Sequence, residues 1–214
     1  MSTNNNNGVE RLVDLLDRMS LPASVSQCQQ LNQFLALLAK WNRVYNLTSI
    51  RDPDQMVGEH LLDSLSLTPY VSGPRVLDVG TGGGLPGIPL AILLPDVEFT
   101  LLDSNAKKTR FVQQAVIELK LNNVEVVRSR IEAYQPDLAP QQITSRAFSS
   151  LRQFVEGVRH LCAATTELLA MKGKHPTQEI TELGDIEPEV IVLQVPMVSA
   201  ERHLVRFALG NKQA

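Results

Sequence analysis

A cluster of glycines directly after a short apolar segment constrains this chain most. Three of the residues 75–79 are apolar, two of them the β-branched Val76 and Val79, and five of the next eight residues are glycine. Glycine lets a backbone turn sharply and approach a ligand that any Cβ would push away. A second apolar stretch runs from Leu85 to Leu94 and stops at Pro95. The pattern therefore predicts a strand, a tight ligand-binding loop and a helix.

Two classes of ligand fit this loop. Gly82, Gly84 and Gly87 satisfy the dinucleotide-binding fingerprint. Asp78, two residues before Gly80, opens the pattern acid-x-Gly-x-Gly-x-Gly that is typical of methyltransferases. A carboxylate there suits the positively charged sulfonium and amino group of S-adenosylmethionine and would repel a pyrophosphate. We therefore predict that Asp78, Gly80 and Gly82 bind S-adenosylmethionine, with a nicotinamide-dependent oxidoreductase as the alternative.

The rest of the chain predicts an α/β fold with a helical extension before it. Further predicted strands and helices alternate after the loop, which indicates a mostly parallel central sheet with helices on both faces, of the Rossmann-like class I methyltransferase type. Apolar residues recur at helical spacing in three stretches before Gly73, the second capped by Ser24 or Ser26 and the third starting at Asp52. We predict a disordered lead-in over residues 1–8, a helical extension over 9–72 and a methyltransferase domain over 73–214. The predicted elements after the loop are strands at 97–102 and 124–127, near Ile143, and at 168–171, 190–195 and 203–209, with helices at 105–119 and 151–162.

Two later segments predict further cofactor contacts. Asp103 closes the second strand, 23 positions after Gly80, where an acid can accept both hydroxyls of an adenosine ribose. Its alternative role is that of a turn or N-cap residue. Ile131 and Glu132 follow the third strand, where Ile131 can pack on the adenine and Glu132 can contact its edge. A solvated acid at a helix start is the equally weighted alternative for Glu132.

Composition excludes several other classes of protein. The two cysteines are 134 positions apart with no metal-ligand spacing, so no disulfide scaffold or metal site is expected. We found no secretion signal or membrane span and expect a cytoplasmic protein. The chain has 20 basic and 23 acidic residues, for a net charge of −3. Residues 71–176 nevertheless carry 12 basic against 10 acidic side chains, so any nucleic-acid contact should lie on one face of this central part and bind naked RNA weakly.

Eight segments together resemble the small-subunit ribosomal RNA methyltransferase G family, also known as glucose-inhibited division protein B. One segment departs from the family, because residues 140–144 are more polar than its usual apolar fourth strand. The matching segments cover nearly the whole chain and are Trp41–Thr48, His60–Leu65, Asp78–Pro89, Leu101–Ser104, Ser129–Arg130, Ser145–Phe148, Lys172–Gly173 and Glu201–Val205.

This resemblance implies transfer of a methyl group from S-adenosylmethionine to N7 of one guanine in the decoding-centre loop of bacterial 16S ribosomal RNA. The substrate would be the RNA in the small subunit or in an assembly intermediate, and the enzyme is expected to be a monomer. A non-catalytic nucleotide-binding module is a further alternative. The cofactor contacts implied by the resemblance are Gly80, Leu85, Ile131, Glu132 and Arg146.

Basic residues in these segments are candidates for chemistry and for RNA contact. Arg146 suits the carboxylate of the cofactor's methionine end or the RNA, because guanidinium binds either anion in bidentate fashion. Lys172 follows a predicted strand and suits a phosphate. We therefore predict catalytic roles for Arg146 and Lys172. His60 equally fits a buried histidine and Lys107 a solvated helix face; the predicted RNA contacts are Arg43, His60, Lys107, Arg130 and Lys172.

Overall fold

A single seven-stranded sheet organises the molecule, in a computed structural model that describes residues 2–209. The strand order is β3-β2-β1-β4-β5-β7-β6. The first five strands are parallel, and β7 runs antiparallel to both β5 and β6. The predicted α/β class with a mostly parallel sheet is confirmed. The strands are β1 Arg75–Val79, β2 Glu98–Asp103, β3 Val124–Arg128, β4 Gln142–Ser145, β5 Glu167–Lys172, β6 Glu189–Val192 and β7 His203–Ala208.

Helices precede the sheet and connect its strands. Ser24 caps the second helix together with Gln27, and Asn105 caps the helix after β2. The α-helices are α1 Ser2–Arg18, α2 Val25–Tyr45, α3 Pro53–Gln55, α4 Asp63–Leu65, α5 Gly87–Leu93, α6 Ala106–Leu119, α7 Leu151–Val158 and α8 Thr177–Thr181. The other helical segments are a π-helix at Met56–Leu62 and 3-10 turns at Thr68–Tyr70, Ile131–Ala133 and Arg159–Leu161.

Several element boundaries differ from the sequence prediction. The disordered lead-in was predicted over residues 1–8, but α1 already begins at Ser2; Met1 and residues 210–214 lie outside the described residues. The helix propensity of asparagine is only modestly lower than that of alanine. Packing of the apolar residues that follow in α1 can offset this difference. The helix predicted from Leu85 begins at Gly87, because a turn occupies the end of the glycine loop. The helix predicted over 151–162 ends as α-helix at Val158.

The hydrophobic core lies on both faces of the sheet. Phe99 and Leu101 of β2 belong to a buried cluster with α1, α2, α5 and α6. Leu77 and Leu102 point to the opposite face, in a second cluster with Phe154 of α7. Successive strand residues alternate between the faces, as β geometry requires. The helical extension therefore covers one face of the sheet and shares its core.

Gln142 explains why the fourth strand begins with polar residues. Its side chain is almost fully buried, and its amide nitrogen donates to the Tyr70 carbonyl at 2.8 Å and to Glu167 Oε2 at 2.6 Å. Its amide oxygen accepts from the Ser72 backbone at 2.9 Å. A buried polar group with its hydrogen bonds satisfied is compatible with a core position. This residue ties the segment before β1 to β4 and β5.

Candidate active site

The glycine loop bends at three positions that disfavour other residues. Gly80, Gly82 and Gly84 have φ angles of +69°, +59° and +79°. A Cβ at Gly80 would lie 2.6 Å from the Cβ of Ala147, closer than two carbons can approach. The Gly80 amide donates to the Leu102 carbonyl at 2.8 Å, which fixes the loop to the end of β2. The loop thus lies at the carboxyl ends of β1, β2 and β4, where the strand order reverses and α/β proteins bind ligands.

Asp78 lies beneath this loop and holds it. The residue is fully buried, and its Oδ2 accepts hydrogen bonds from Thr81 Oγ1 at 2.7 Å and from the Gly87 amide at 3.0 Å. Its Oδ1 has no hydrogen-bond partner within residues 2–209. Burial raises the pKa of this carboxyl from 3.8 to about 6, although both hydrogen bonds act in the opposite direction. Asp78 combines a structural role in the loop with one unsatisfied buried oxygen.

A cavity of about 270 Å³ opens beside the loop. Asp103 lies in its wall, with Oδ2 accepting from the Gly82 amide at 3.0 Å and Oδ1 from the Asn105 amide at 2.8 Å. The two oxygens therefore retain lone pairs for further donors. The lining consists of Val79, Gly80, Leu102, Asp103, Ser104, Lys108, Ser129, Arg130, Ile131, Glu132, Ala147 and Phe148.

Segments after four different strands meet in this cavity, with Gly80 following β1 and Ser104 following β2. Ile131 and Glu132 form a 3-10 turn after β3, and Ala147 and Phe148 follow β4. Phe148 packs on Phe154 of α7, with ring centroids 5.2 Å apart. Sequence reasoning missed Phe148 as a lining residue although it belongs to the matching segment Ser145–Phe148. Lys108 also lines the cavity, and its Nζ lies 4.0 Å from Asp103 Oδ2.

Arg146 directly precedes the lining residue Ala147, but its side chain forms an ion pair with a residue that does not line the cavity. Its Nη1 lies 3.0 Å from Asp63 Oδ2, and Arg202 Nε donates to Asp63 Oδ1 at 2.9 Å. Asp63 is almost fully buried, and burial raises the pKa of its carboxyl although the two guanidiniums oppose this change. One carboxylate of the helical extension thus binds two arginines of the sheet domain. The cavity lining does not include Arg146, and 27% of its side chain is exposed.

His60 lies in the interior rather than on an RNA-accessible surface. Only 4% of the residue is exposed, and its Nε2 lies 2.8 Å from Thr48 Oγ1. Burial, with the nearby Arg146 guanidinium adding to it, lowers the pKa of the imidazole to about 4. A neutral buried ring does not offer a charge to phosphate, so the buried alternative describes His60 better than the predicted RNA contact.

Lys172 is engaged by the protein itself. Its Nζ lies 2.8 Å from Glu179 Oε2 and donates to the Phe148 carbonyl at 3.3 Å. Glu179 also accepts from the Leu151 amide at 2.7 Å, so it holds the start of α7 as well. Only 12% of the Lys172 side chain is exposed. A catalytic or RNA contact by Lys172 would require this ion pair to open.

The remaining predicted residues fall into three groups. Leu85 is buried in the core on the face that the helical extension covers, and is not a cavity-lining residue. Arg43 and Lys107 are exposed and form no ion pair within the described part of the chain. Arg130 lines the cavity.

No helix among residues 2–209 combines the length and apolar character needed to cross a membrane. Over the same span, no three His, Cys, Asp or Glu side chains are grouped as a metal ion would require.

The fold and the loop define the class of protein. A SAM-dependent methyltransferase from Aquifex aeolicus has a similar structure, with a TM-score of 0.56, 21% identity and coverage of 79% of this chain and 97% of that one. Cofactor-bound Rv0187 from MTB superimposes with a TM-score of 0.62 at 14% identity, covering 84% and 91% of the two chains. The predicted Rossmann-like methyltransferase fold is confirmed.

The family follows from sequence comparison. Residues 27–205 match the family described as GidB, rRNA small subunit methyltransferase G, and the chain belongs to this family. The ribosomal RNA small subunit methyltransferase G of Chromobacterium violaceum is 53% identical over 197 residues, which cover 91% of this chain and 94% of that protein. The protein of the same name from Ectopseudomonas mendocina is 52% identical over 200 residues, covering 92% and 94%. The predicted family is confirmed, and nothing in these comparisons supports the nicotinamide alternative.

Proposed function

We propose that this protein transfers a methyl group from S-adenosylmethionine to N7 of a guanine in the decoding-region loop of 16S ribosomal RNA. Membership of the methyltransferase G family is the observation that carries the proposal. The reaction, the cofactor and the RNA class follow from the family. The choice of N7 rests on the resemblance of the eight sequence segments and on the chemistry below.

The cavity fits S-adenosylmethionine. Gly80 lines the cavity, the Gly82 amide donates to the lining residue Asp103, and Asp103 has lone pairs for ribose hydroxyls. Ile131 offers apolar surface and Glu132 an acceptor for the adenine. Asp78 is buried beneath the loop and does not line the cavity; its Oδ1, which has no partner among residues 2–209, suits a cation that reaches it through the loop. When bound, the cofactor supplies a methyl group on a positively charged sulfur.

N7 of guanine suits a site of this composition. N7 carries a free lone pair and no proton, so its methylation needs no general base. Positioning of the two reactants can supply about 7–11 kcal/mol of barrier lowering. The product guanine gains positive charge while the sulfonium loses it, and the lining carries two acidic residues, Asp103 and Glu132, against two basic ones, Lys108 and Arg130. The protein is thus required mainly to hold the base and the cofactor in line.

Several assignments belong to the same proposal. Arg146 would bind the cofactor carboxylate or the RNA after leaving Asp63, and Lys172 would act after leaving Glu179. Arg43, Lys107 and Arg130 would contact RNA. The substrate would be the small subunit or an assembly intermediate, and the enzyme would act as a cytoplasmic monomer. Residues 9–72 would form a helical extension and 73–214 the methyltransferase domain.

Substrate replacement tests the function. Radiolabelled S-adenosylmethionine is offered with small ribosomal subunits, naked 16S RNA and a scrambled RNA, and transfer is counted on the RNA. We expect transfer to subunits or 16S RNA and none to scrambled RNA. A 16S transcript containing 7-deazaguanine, which has carbon in place of N7, should accept no methyl group. Methylation of the 7-deazaguanine transcript would refute N7 as the target, and cofactor binding without transfer to any RNA would favour a non-catalytic module.

A further inference from the structure

The end of α2 and the start of α6 lie side by side near the cavity. Gln30 Nε2 donates to the Leu119 carbonyl at 3.0 Å, and the rings of Trp41 and Phe111 are 5.6 Å apart. Later residues of α2 therefore lie beside earlier residues of α6, so the two helices are antiparallel. The last turn of α2 lies beside the first turn of α6, which begins just after the cavity residue Asp103.

Basic residues concentrate at this shared end. Helix α2 contains no acidic residue, and both of its basic residues lie in its last two turns. Helix α6 has three basic residues in its first two turns and its one acid, Glu118, in its last turn. Four of these five side chains are exposed, and Lys108 lines the cavity. The five residues, here called the basic edge, are Lys40, Arg43, Lys107, Lys108 and Arg110.

An aromatic pair lies within the basic edge. The rings of Trp41 and Tyr45 stack with centroids 5.2 Å apart and an interplanar angle of 30°. Tyr45 is 37% exposed and Val44 71% exposed, although most large apolar side chains of this chain are buried. Folding gains nothing from exposing such groups, whereas unpaired nucleobases stack on exposed aromatic rings.

We propose that the basic edge and the Trp41–Tyr45 pair bind single-stranded RNA that flanks the target nucleotide. An unpaired base stacks on Tyr45, and the phosphates on either side contact the basic edge. A Cβ at Gly83 would lie 3.2 Å from Cδ1 of Leu38, one turn before Trp41, so α2 also lies against the glycine loop. RNA on this surface therefore leads toward the cavity. The inference rests on the proposed function and names the surface that holds its substrate.

Duplex RNA fits this surface poorly. Its bases are stacked on one another and unavailable to a side chain, and proteins recognise it mainly through shape and backbone contacts. Single strands offer both a free base face and phosphates, and their binding weakens with salt. The combination of one aromatic pair with five cations therefore favours an unpaired loop over a helix.

Trp41 provides a direct test, because it is the only tryptophan in the chain. Its fluorescence is followed at low salt during titration of the full-length protein with oligoadenylate, and with the same strand paired to oligouridylate. We expect saturable quenching by the single strand and none by the duplex. Tyr45→Ala should weaken binding of the single strand by about five-fold or more. Arg43→Ala should reduce the slope of log affinity against log salt by about 0.7.

Two control variants remove an exposed apolar side chain and an exposed arginine outside the proposed surface. Ile117→Ala shortens an exposed apolar side chain at the far end of α6, and Arg152→Ala removes an exposed arginine of α7. Both should bind oligoadenylate like the wild type. All four variants should bind S-adenosylmethionine in calorimetry with unchanged affinity, which also verifies that each is folded.

The outcomes separate this inference from the proposed function. Quenching by the single strand, weakened in Tyr45→Ala and Arg43→Ala, supports the surface even if no RNA accepts a methyl group. If subunits are methylated but these two variants match the two controls in affinity and in transfer, the inference fails and the function stands. Equal binding of the duplex also overturns it. If Tyr45→Ala does not fold, wild-type quenching and Arg43→Ala decide.

Discussion

Replacing Asp78 by asparagine should stabilise the protein without cofactor and weaken cofactor binding. Burial raises the pKa of Asp78 from 3.8 to about 6. Each pKa unit corresponds to 1.36 kcal/mol, so ionised Asp78 costs the folded state ~3 kcal/mol at pH 7. Asparagine keeps an oxygen for Thr81 and Gly87, and its nitrogen replaces an oxygen that already has no partner. Asp78→Asn should therefore raise the free energy of unfolding at pH 7 by up to ~3 kcal/mol.

The pH dependence gives the sign of this effect. The folded pKa is above the unfolded one, so the folded state binds more protons between pH 3.8 and about 6. The contribution of Asp78 to stability is fully present below pH 3.8 and is lost as the pH rises through about 6. Urea unfolding of wild type and Asp78→Asn, in parallel across this range, isolates the contribution because all other groups cancel. Asp96→Asn, the same change on an exposed residue, is the control.

Cofactor binding should respond in the opposite direction. A cationic ligand beside Asp78 favours the ionised form, so wild-type affinity should fall up to tenfold per pH unit below about 6. Hydrogen bonds to charged groups contribute about 1.5–3 kcal/mol, so Asp78→Asn should lose ~10- to 100-fold in affinity at pH 7.5 and lose this pH dependence. Calorimetry with S-adenosylmethionine measures both. Unchanged affinity in the variant would refute a cofactor contact and leave Asp78 only its role in the loop.

Three other substitutions test the site and its support. Gly80→Ala should lower the free energy of unfolding in urea by about 1–3 kcal/mol, because φ at this position is +69° and Ala147 blocks a Cβ. The variant should also bind the cofactor more weakly. A variant with wild-type stability and wild-type affinity would contradict this. Asp103→Ala should weaken S-adenosylmethionine binding at least tenfold in calorimetry, and equal binding would exclude the ribose role. Asp63→Ala should lower the free energy of unfolding by about 3–5 kcal/mol because it leaves two partly buried arginines without their carboxylate. Glu167→Gln, which breaks the more exposed ion pair of Glu167 with Arg206, should cost about 1 kcal/mol, and equal losses would show that Asp63 has no special role.

Local sequence was sufficient to predict the sheet and the loop. The alternation of strands and helices, the glycine spacing and Asp103 at a strand end each depend on residues close together in the chain. Ile131 and Glu132 line the same cavity as Gly80, because the strand order brings these turns to one edge of the sheet. Their roles toward a cofactor stay predictions.

Side-chain partners were not predictable in the same way. Arg146 and Lys172 were expected to face ligands, but Asp63 and Glu179 bind them in this structure. Such ion pairs join residues far apart in sequence, so no local pattern reveals them. The hydrogen-bond partners of Gln142 were also not predictable. A polar residue is unfavourable in a buried strand unless its hydrogen bonds are satisfied, and the fold provides those partners. The positions of glycines and acids at strand ends could be predicted from the sequence. The partners of long basic side chains could be identified only from the fold.

The helical extension contacts two parts of the candidate site, although the sequence prediction treated it as a unit separate from the sheet. Its Asp63 holds Arg146 beside the segment that lines the cavity, and its Leu38 packs against the glycine loop. The same helices cover one face of the sheet. Because interior packing is dense, α2 and the loop constrain each other's positions. RNA bound at the proposed surface on α2 would therefore lie on a helix that also packs on the glycine loop, so the proposed RNA surface and the candidate cofactor site share one structural element.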